Sequence, residues 1–261
     1  VDWLSNYINF QWRITKYNPE FRDENGYYTL REEWTCPSEI GKTINGNEFT
    51  LNEYLQVEAA YIDSAIKFIE ETSIDSLRVL QLECTISEED KTSPLYEKEF
   101  ETLVLKEDAL VNKNDIRLIC KMVLRNFIWC QLYSKNNFFV HFGWDYYMYI
   151  GSKVNCLSAI EFASNNGLFV EQCASPYYFS EEETTRQIQW SEIGDETKII
   201  VGEEELKNVP LNEFKRIFNL SPEHPVIGSF NIKKEQMDFF QTFLKHKMNY
   251  DKYEYSFWGG Y

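Results

Sequence analysis

The segment FFVHFGWDYYMYIG, residues 138–151, contains the side chains of this chain that are best suited to chemistry. His141 and Asp145 flank a Gly-Trp pair that predicts a tight turn. An aspartate can orient an imidazole and raise its basicity, as general acid–base catalysis requires. The pair is therefore the candidate catalytic site of an enzyme, a hydrolase or a transferase, with Cys130 or Cys156 as a conceivable nucleophile.

A structural interpretation competes with the catalytic one. A histidine that is hydrogen-bonded at a strand end, followed by an aspartate that serves a turn, gives the same pattern. A catalytic site needs several converging groups, and nothing in the sequence brings a thiol close to His141 and Asp145. The sequence therefore favours the structural interpretation.

The same segment and the acidic runs supply candidate binding residues. Tyrosine and tryptophan combine a large contact area with a polar tip, which makes them good interface anchors. Consecutive glutamates can attract lysine and arginine side chains of a partner, although such runs are also common on solvated surfaces. The predicted contact residues are Trp144, Asp145, Tyr146, Tyr147, Glu181, Glu182 and Glu183.

Several catalytic and cofactor motifs do not occur in the sequence. It contains no Gly-rich dinucleotide fingerprint, no Walker loop, no His-Glu-x-x-His motif and no Gly-x-Ser-x-Gly elbow. The 3 histidines and 6 cysteines lack the spacing of metal ligands. We therefore predict no cofactor and no metal ion, and a binding protein is favoured over an enzyme.

Charge narrows the class of partner. The net charge is −16, from 26 basic and 42 acidic residues. Such a chain repels nucleic acid and anionic membranes, and it speeds encounter with a basic protein. The cysteines lie mostly in apolar runs, as free thiols of a reducing compartment do. With no apolar run of membrane-spanning length and no signal pattern, the sequence predicts a cytoplasmic protein; it does not indicate an oligomeric state.

Periodicity predicts an α+β fold, mostly an antiparallel sheet packed with several helices. A capping box at Thr50 and Glu53 predicts the start of a helix. Apolar periodicity predicts a second helix over 115–133, followed by a β-hairpin over 138–151. The tail YDKYEYSFWGGY alternates, and it places Tyr253, Tyr255 and Phe257 on one side of a strand.

The domain organisation predicted from the sequence is a single domain over residues 1–261. Two subdomains are the alternative. Their boundary would lie in the polar segment 85–93, with an α/β subdomain over 1–84 and an α+β subdomain over 94–261.

Several segments carry a resemblance. WRITKYNPEFRDENGYY, EWTCPSEIGK and FTLNEYLQVEAAYI resemble the opening of uncharacterised proteins from bacilli and their relatives, and HFGWDYYMYIG resembles their shared aromatic segment. The resemblance covers about the first two-thirds of the chain and implies no catalytic residues. Small acidic proteins of such bacteria are often immunity partners of polymorphic toxins, so by analogy the resemblance implies an immunity protein.

These observations lead to one preferred hypothesis and two alternatives. We expect an acidic cytoplasmic module that binds another protein, such as an immunity protein that sequesters a basic toxin domain. The first alternative is an enzyme with its site at His141 and Asp145. The second is a scaffold or a subunit of a complex.

Overall fold

The structure, a computed structural model, describes residues 8–30, 36–44, 46–84, 86–143, 146–178, 181, 183–194 and 199–260. Within these residues the chain forms 5 α-helices and 13 strands, and the strands form three antiparallel sheets. The predicted α+β class is therefore confirmed. None of the helices in the described part of the chain combines the length and the apolar composition that a membrane span requires.

The chain divides into two compact units, Val1–Ser175 and Pro176–Tyr261. Residues 86–93, which belong to the predicted alternative boundary, lie within the first of these units. The single domain over residues 1–261 stays a prediction. Each unit is described by itself below.

The first unit contains a seven-stranded sheet, a two-stranded sheet and three helices. Its strands are β1 (Phe10–Thr15), β2 (Thr43–Ile44), β3 (Asn47–Glu48), β4 (Ser76–Cys84), β5 (Leu110–Asn112), β6 (Ile128–Ser134), β7 (Phe138–Phe142), β8 (Met148–Ser152) and β9 (Phe169–Gln172). Its helices are α1 (Leu51–Glu71), α2 (Lys113–Leu124) and α3 (Leu157–Asn165). The strand order in the large sheet is β5-β4-β6-β7-β8-β1-β9, with β2 paired to β3 separately.

Helix α1 begins where the capping box predicts. The Thr50 N–H donates to Glu53 Oε2 at 2.7 Å, and the Glu53 N–H donates to Thr50 Oγ1 at 3.2 Å. These reciprocal bonds satisfy two amide groups that have no partner within the helix. The buried stripe of α1, which includes Tyr61 and Phe68, belongs to the main apolar core.

The helix predicted over 115–133 is wrong at both ends. Helix α2 starts at Lys113, with Asn112 as its N-cap, and it ends at Leu124. Asn126 follows with a φ of +60°, a left-handed conformation that a helix does not continue through. The apolar residues beyond it form β6, because a short apolar run suits a buried strand as well as a helix.

The predicted hairpin over 138–151 is confirmed, and it occupies the centre of the large sheet. Strands β7 and β8 pair antiparallel, with Val140 opposite Ile150. Phe138, Val140 and Phe142 belong to the core that includes the helices. Because side chains alternate along a strand, His141 lies on the opposite face of the sheet.

The second unit is a four-stranded antiparallel sheet with two short helices. Its elements are β10 (Thr185–Glu192), β11 (Ile200–Glu205), α4 (Leu211–Ile217), β12 (Gly228–Ile232), α5 (Met237–Gln241) and β13 (Tyr253–Gly260). The strand order is β11-β10-β13-β12. Tyr253, Tyr255 and Phe257 lie on one side of β13, as predicted, and that side faces the core, where the rings of Phe214 from α4 and Phe257 lie 5.4 Å apart.

Candidate binding face

His141 lies between Gln131 of β6 and Tyr149 of β8. Its side chain is buried, and its ring packs edge-on against Trp129 at a centroid distance of 5.6 Å. Burial lowers the pKa of His141 to about 3, because the imidazolium form would lose its hydration. A general base that works near neutral pH needs a pKa close to that pH, so this environment favours the structural interpretation.

The two thiols considered as nucleophiles are buried as well. Cys130 precedes Gln131, the strand neighbour of His141, so alternation places its thiol on the other face of the sheet. Burial raises the pKa of Cys130, and it raises the pKa of Cys156 to about 11. Both thiols are therefore protonated at neutral pH and are weak nucleophiles.

Three of the predicted site residues, Trp144, Asp145 and Glu182, lie outside the described residues, and their roles stay predictions. Tyr146 is buried, and its hydroxyl donates to the carbonyl of Leu124 at 2.6 Å. That bond ties the segment after β7 to the last turn of α2. The position of Tyr146 suits a core residue better than the surface contact that the sequence predicts.

Tyr147 is half-buried and belongs to a cluster with two arginines. Arg22 Nη1 donates to the Tyr147 hydroxyl at 2.8 Å, and the guanidinium carbons of Arg22 and Arg13 lie 5.1 and 5.7 Å from the centre of its ring. Both arginines also bind the carboxylate of Glu171, Arg13 at 2.9 Å and Arg22 at 3.2 Å. The ring and hydroxyl of Tyr147 are therefore engaged within the first unit.

The two described glutamates of the predicted acidic rim differ in their surroundings. Glu181 lies 3.6 Å from the ammonium of Lys215, whose side chain is almost entirely buried. The Glu181 carbonyl also accepts a hydrogen bond from Arg186 Nη1 at 3.0 Å. Glu183 is exposed. Glu181 therefore contributes to the internal structure of the second unit, and Glu183 lies on its surface.

The sheet of the second unit has two different faces. One face carries the core residues at alternate strand positions, such as Ile188 opposite Phe257. The other face, called the polar face below, carries none of the core residues of this unit. The polar face consists of Gln187, Gln189 and Ser191 of β10, Glu203 and Glu205 of β11, Ser229 and Asn231 of β12, and Glu254, Ser256 and Trp258 of β13. None of these residues is buried.

The polar face is acidic. It includes three glutamates, Glu203, Glu205 and Glu254, and its other members are uncharged. Glu203 Oε2 accepts hydrogen bonds from Gln187 Nε2 at 3.0 Å and from Gln189 Nε2 at 3.5 Å, so its carboxylate is held against the sheet. Carboxylates on one side of a small sheet attract cationic groups and repel anionic ones.

Trp258 is the one aromatic member of the polar face. Its backbone pairs with Gln187 on one side and with Ser229 on the other. Its indole lies over Gly260, where a β-carbon would come within 2.7 Å of the ring. The glycine therefore leaves room for the ring to lie flat along the strand. A half-buried tryptophan among polar residues is typical of an interface anchor.

The side chains of the polar face are suited to molecular recognition. Carboxylates, amides, hydroxyls and one indole suit ion pairs, hydrogen bonds and apolar contact with a basic protein surface. In the part of the chain that the structure describes, no three His, Cys, Asp or Glu side chains are placed to hold a metal ion.

Sequence reasoning missed the polar face, although a signal for part of it was present. The alternation that places Tyr253, Tyr255 and Phe257 toward the core also places Glu254 and Trp258 on the other side. The pairing of β10 with both β11 and β13 completes the face, and the sequence contains no direct signal of that pairing.

Comparisons with known proteins bear on this unit. Residues 185–258 match a family described as a domain of unknown function (DUF7683). The match begins at the first residue of β10 and ends at Trp258, so it includes every residue of the polar face. No curated protein and no solved structure matches the chain.

Proposed function

We propose that this chain is an acidic, cytoplasmic protein-binding module whose partner is a basic protein. The observation that carries the proposal is the polar face, which combines three glutamates with uncharged hydrogen-bonding groups and Trp258. The net charge of −16 supports it, because long-range attraction speeds encounter with a basic partner. All six cysteines are free thiols, which suits a reducing compartment.

Within this class, we propose an immunity protein that sequesters a basic toxin domain. The residues at the sequence-predicted site favour binding over catalysis, because His141 is buried with a pKa of about 3. An inhibitor needs a preformed surface that excludes water around an anchor, and it needs charge complementarity with its target. The polar face offers an aromatic anchor with an acidic surround.

The test of this proposal is capture from the native cell followed by reconstitution. The tagged chain is compared with the variant E203K/E205K/E254K, which reverses the charge of the polar face. The matched control is E24K/E99K/E161K, which changes the net charge equally at exposed sites of the first unit. Mass spectrometry then identifies the proteins that each form retains, and the purified candidate is titrated against all three.

We expect one basic protein to bind the native chain and the control with similar affinity, and to bind the polar-face variant at least tenfold more weakly. For the immunity function, that protein should stop growth when it is expressed alone, and the native chain should restore growth. A partner that binds the polar-face variant normally, or that is lost from the control alone, would contradict the proposal.

A further inference from the structure

Strand β11 forms one edge of the four-stranded sheet, and exposed aliphatic side chains concentrate there. Between 49% and 63% of the surface is exposed for Ile200 and Val201 of β11, for Ile199 just before it and for Ile193 just after β10. Among the described residues of the second unit, these are the only large hydrophobic side chains with such exposure. The other edge strand, β12, instead presents Ser229 and Asn231. Exposed aliphatic residues on an edge strand mark a surface on which another chain can pair.

The backbone of β11 offers hydrogen-bonding groups at this edge. The Leu206 N–H donates to the Arg186 carbonyl at 2.8 Å, which makes these two residues a hydrogen-bonded pair. Along a strand of an antiparallel ladder, the backbone N–H and C=O groups of one residue bond the neighbouring strand, and those of the next residue point away from it. Glu205 lies opposite Gln187 and Glu203 lies opposite Gln189 in the intervening pairs. Their N–H and C=O groups therefore point away from β10.

The side chains of β11 specify the chemistry of the occupant. The strand begins with the exposed apolar residues Ile200 and Val201 and ends with Glu203, Glu204 and Glu205. Glu204 is engaged inside the unit, where its carboxylate accepts hydrogen bonds from the backbone N–H of Lys245. Glu203 and Glu205 belong to the polar face, so the edge and that face form one continuous surface.

From these observations we infer that the partner adds an extended basic segment to the sheet as a fifth strand, antiparallel to β11. This inference rests on the proposed function and gives its mode of binding. In that pairing, two basic residues separated by one position lie opposite Glu205 and Glu203, and two aliphatic residues lie opposite Val201 and Ile200. Main-chain hydrogen bonds hold such a strand, and the alternate side chains select it.

Charge decides between this occupant and a second copy of the chain. Antiparallel pairing of two β11 strands would bring a second set of three glutamates to the same edge, on a chain with a net charge of −16. Full overlap of the two strands would set Glu205 of each copy opposite Ile200 of the other, so the carboxylates would gain no cationic partner while the two acidic chains repel each other. A segment that carries lysine or arginine gains ion pairs at the same positions, so a basic strand is favoured.

The probe for this inference is a synthetic peptide with the core Lys-Thr-Lys-Thr-Val-Val. Antiparallel alignment places its lysines opposite Glu205 and Glu203 and its valines opposite Val201 and Ile200. The matched control peptide carries a methyl group on the backbone nitrogen of both lysines, which keeps the charge and removes the two N–H donors. Titration of each peptide into the full chain measures the dissociation constants, and hydrogen exchange followed by NMR reports on the amides of Glu203 and Glu205.

We expect the unmodified peptide to bind and to slow exchange at the amides of Glu203 and Glu205. The methylated peptide should bind at least about tenfold more weakly, because two main-chain hydrogen bonds are lost. Equal binding of the two peptides would overturn strand addition and would leave the acidic polar face as a binding surface. Binding of neither peptide would also overturn strand addition, and the proposed function would then be judged by its own test.

Two variants of the protein test the same inference by changing β11 instead of the peptide. Glu205→Pro removes an N–H that points away from the sheet, whereas Glu205→Gln keeps that N–H and removes the charge. We expect the proline variant to bind the peptide more weakly than the glutamine variant. Equal affinity of the two folded variants would contradict strand addition. A chain dimer that Glu205→Pro dissociates would assign the edge to a second copy and would overturn the inference as well.

Discussion

In the seven-stranded sheet every residue of the two central strands, β7 and β8, is buried, whereas β10 and β13 of the four-stranded sheet alternate between core residues and accessible ones. The two sheets therefore differ in how much of their central strands stays accessible to a partner. The first unit pairs Arg125 with Glu58 in its interior and buries His141. The second unit keeps Glu203, Glu205 and Glu254 accessible.

The residues with the most conspicuous chemistry in the sequence are therefore not those best placed to meet a partner. The aromatic segment around His141 attracts attention because it is dense in rings, but rings are also what a central strand needs in order to fill a core. The polar face is inconspicuous in the sequence because its residues alternate with core residues. Its accessibility makes it the better candidate for binding.

The largest expected effect concerns the interior ion pair of the first unit. Arg125 donates to both carboxylate oxygens of Glu58, at 2.7 and 2.6 Å, and both side chains are almost fully buried. The substitution Arg125→Met leaves the Glu58 carboxylate without these bonds, and we expect it to lower the free energy of unfolding by about 3–5 kcal/mol. Urea denaturation followed by circular dichroism measures this change.

Two control variants accompany that prediction. The double variant E58L/R125L removes both interior charges, and the single variant E254Q removes one charge of the polar face. Removing both charges together should recover part of the lost stability, because no buried carboxylate remains unpaired. Glu254 on the polar face is exposed, and its substitution should change stability little. If Arg125→Met lowers the free energy of unfolding no more than E254Q does, the contrast between charges in the interior and charges on the polar face is wrong.

The second prediction concerns acid. The pKa of His141 is about 3 in the folded chain because of burial, and an unfolded histidine titrates near its ordinary value of 6.5. Between these values the unfolded state binds a proton that the folded state does not, so stability falls as the pH falls from about 6.5 toward 3. One proton contributes a slope of about 1.4 kcal/mol per pH unit.

Denaturation of the native chain and of His141→Gln at several pH values between 7 and 4 measures this slope. The native chain should lose stability more steeply, by about the contribution of one proton, because other titrating groups are common to both forms. Parallel curves for the two forms would show that His141 is not buried in its neutral state.

A smaller effect is expected at the anchor of the polar face. Trp258→Ala should weaken binding of the captured partner about thirtyfold, the loss typical of an aromatic hot spot. The control is Tyr27→Ala in the first unit, which removes a ring that is 72% exposed and should leave affinity unchanged. Calorimetric titration measures both. A loss of affinity in Tyr27→Ala, with none in Trp258→Ala, would place the interface on the first unit.

The smallest predicted effect tests how Trp258 is positioned. A β-carbon at Gly260 would lie 2.7 Å from the indole, so Gly260→Ala must move the ring. We expect a severalfold loss of partner affinity, smaller than that of Trp258→Ala, together with a change in tryptophan fluorescence. An unchanged affinity with a shifted fluorescence would mean that the ring position does not matter for binding.

Local signals in the sequence predict a good part of the fold. The capping box at Thr50 and Glu53 predicts the start of α1 because both hydrogen bonds lie within one turn. Alternation predicts that Tyr253, Tyr255 and Phe257 share one side of β13 for a similarly local reason. The end of α2 has no such local signal, because the helix ends at Leu124, Asn126 beyond it is left-handed, and Arg125 binds Glu58 of α1.

The candidate site is less predictable than the fold, since it depends on which strands become neighbours. Glu203 meets Gln187 and Gln189 only because β11 pairs with β10, and Trp258 joins them only because β13 pairs with β10 on its other side. The acidic run that contains Glu203 is visible in the sequence, but its neighbours on the sheet are not.

Hydroxyl-radical footprinting of the complex with the captured partner tests the central claim most directly, because it measures which side chains lose contact with water. We predict that oxidation of Trp258 falls severalfold on binding, while oxidation of the exposed Tyr27 in the first unit stays the same. Unchanged oxidation of Trp258, with protection of Tyr27 instead, would contradict the assignment of the interface to the polar face.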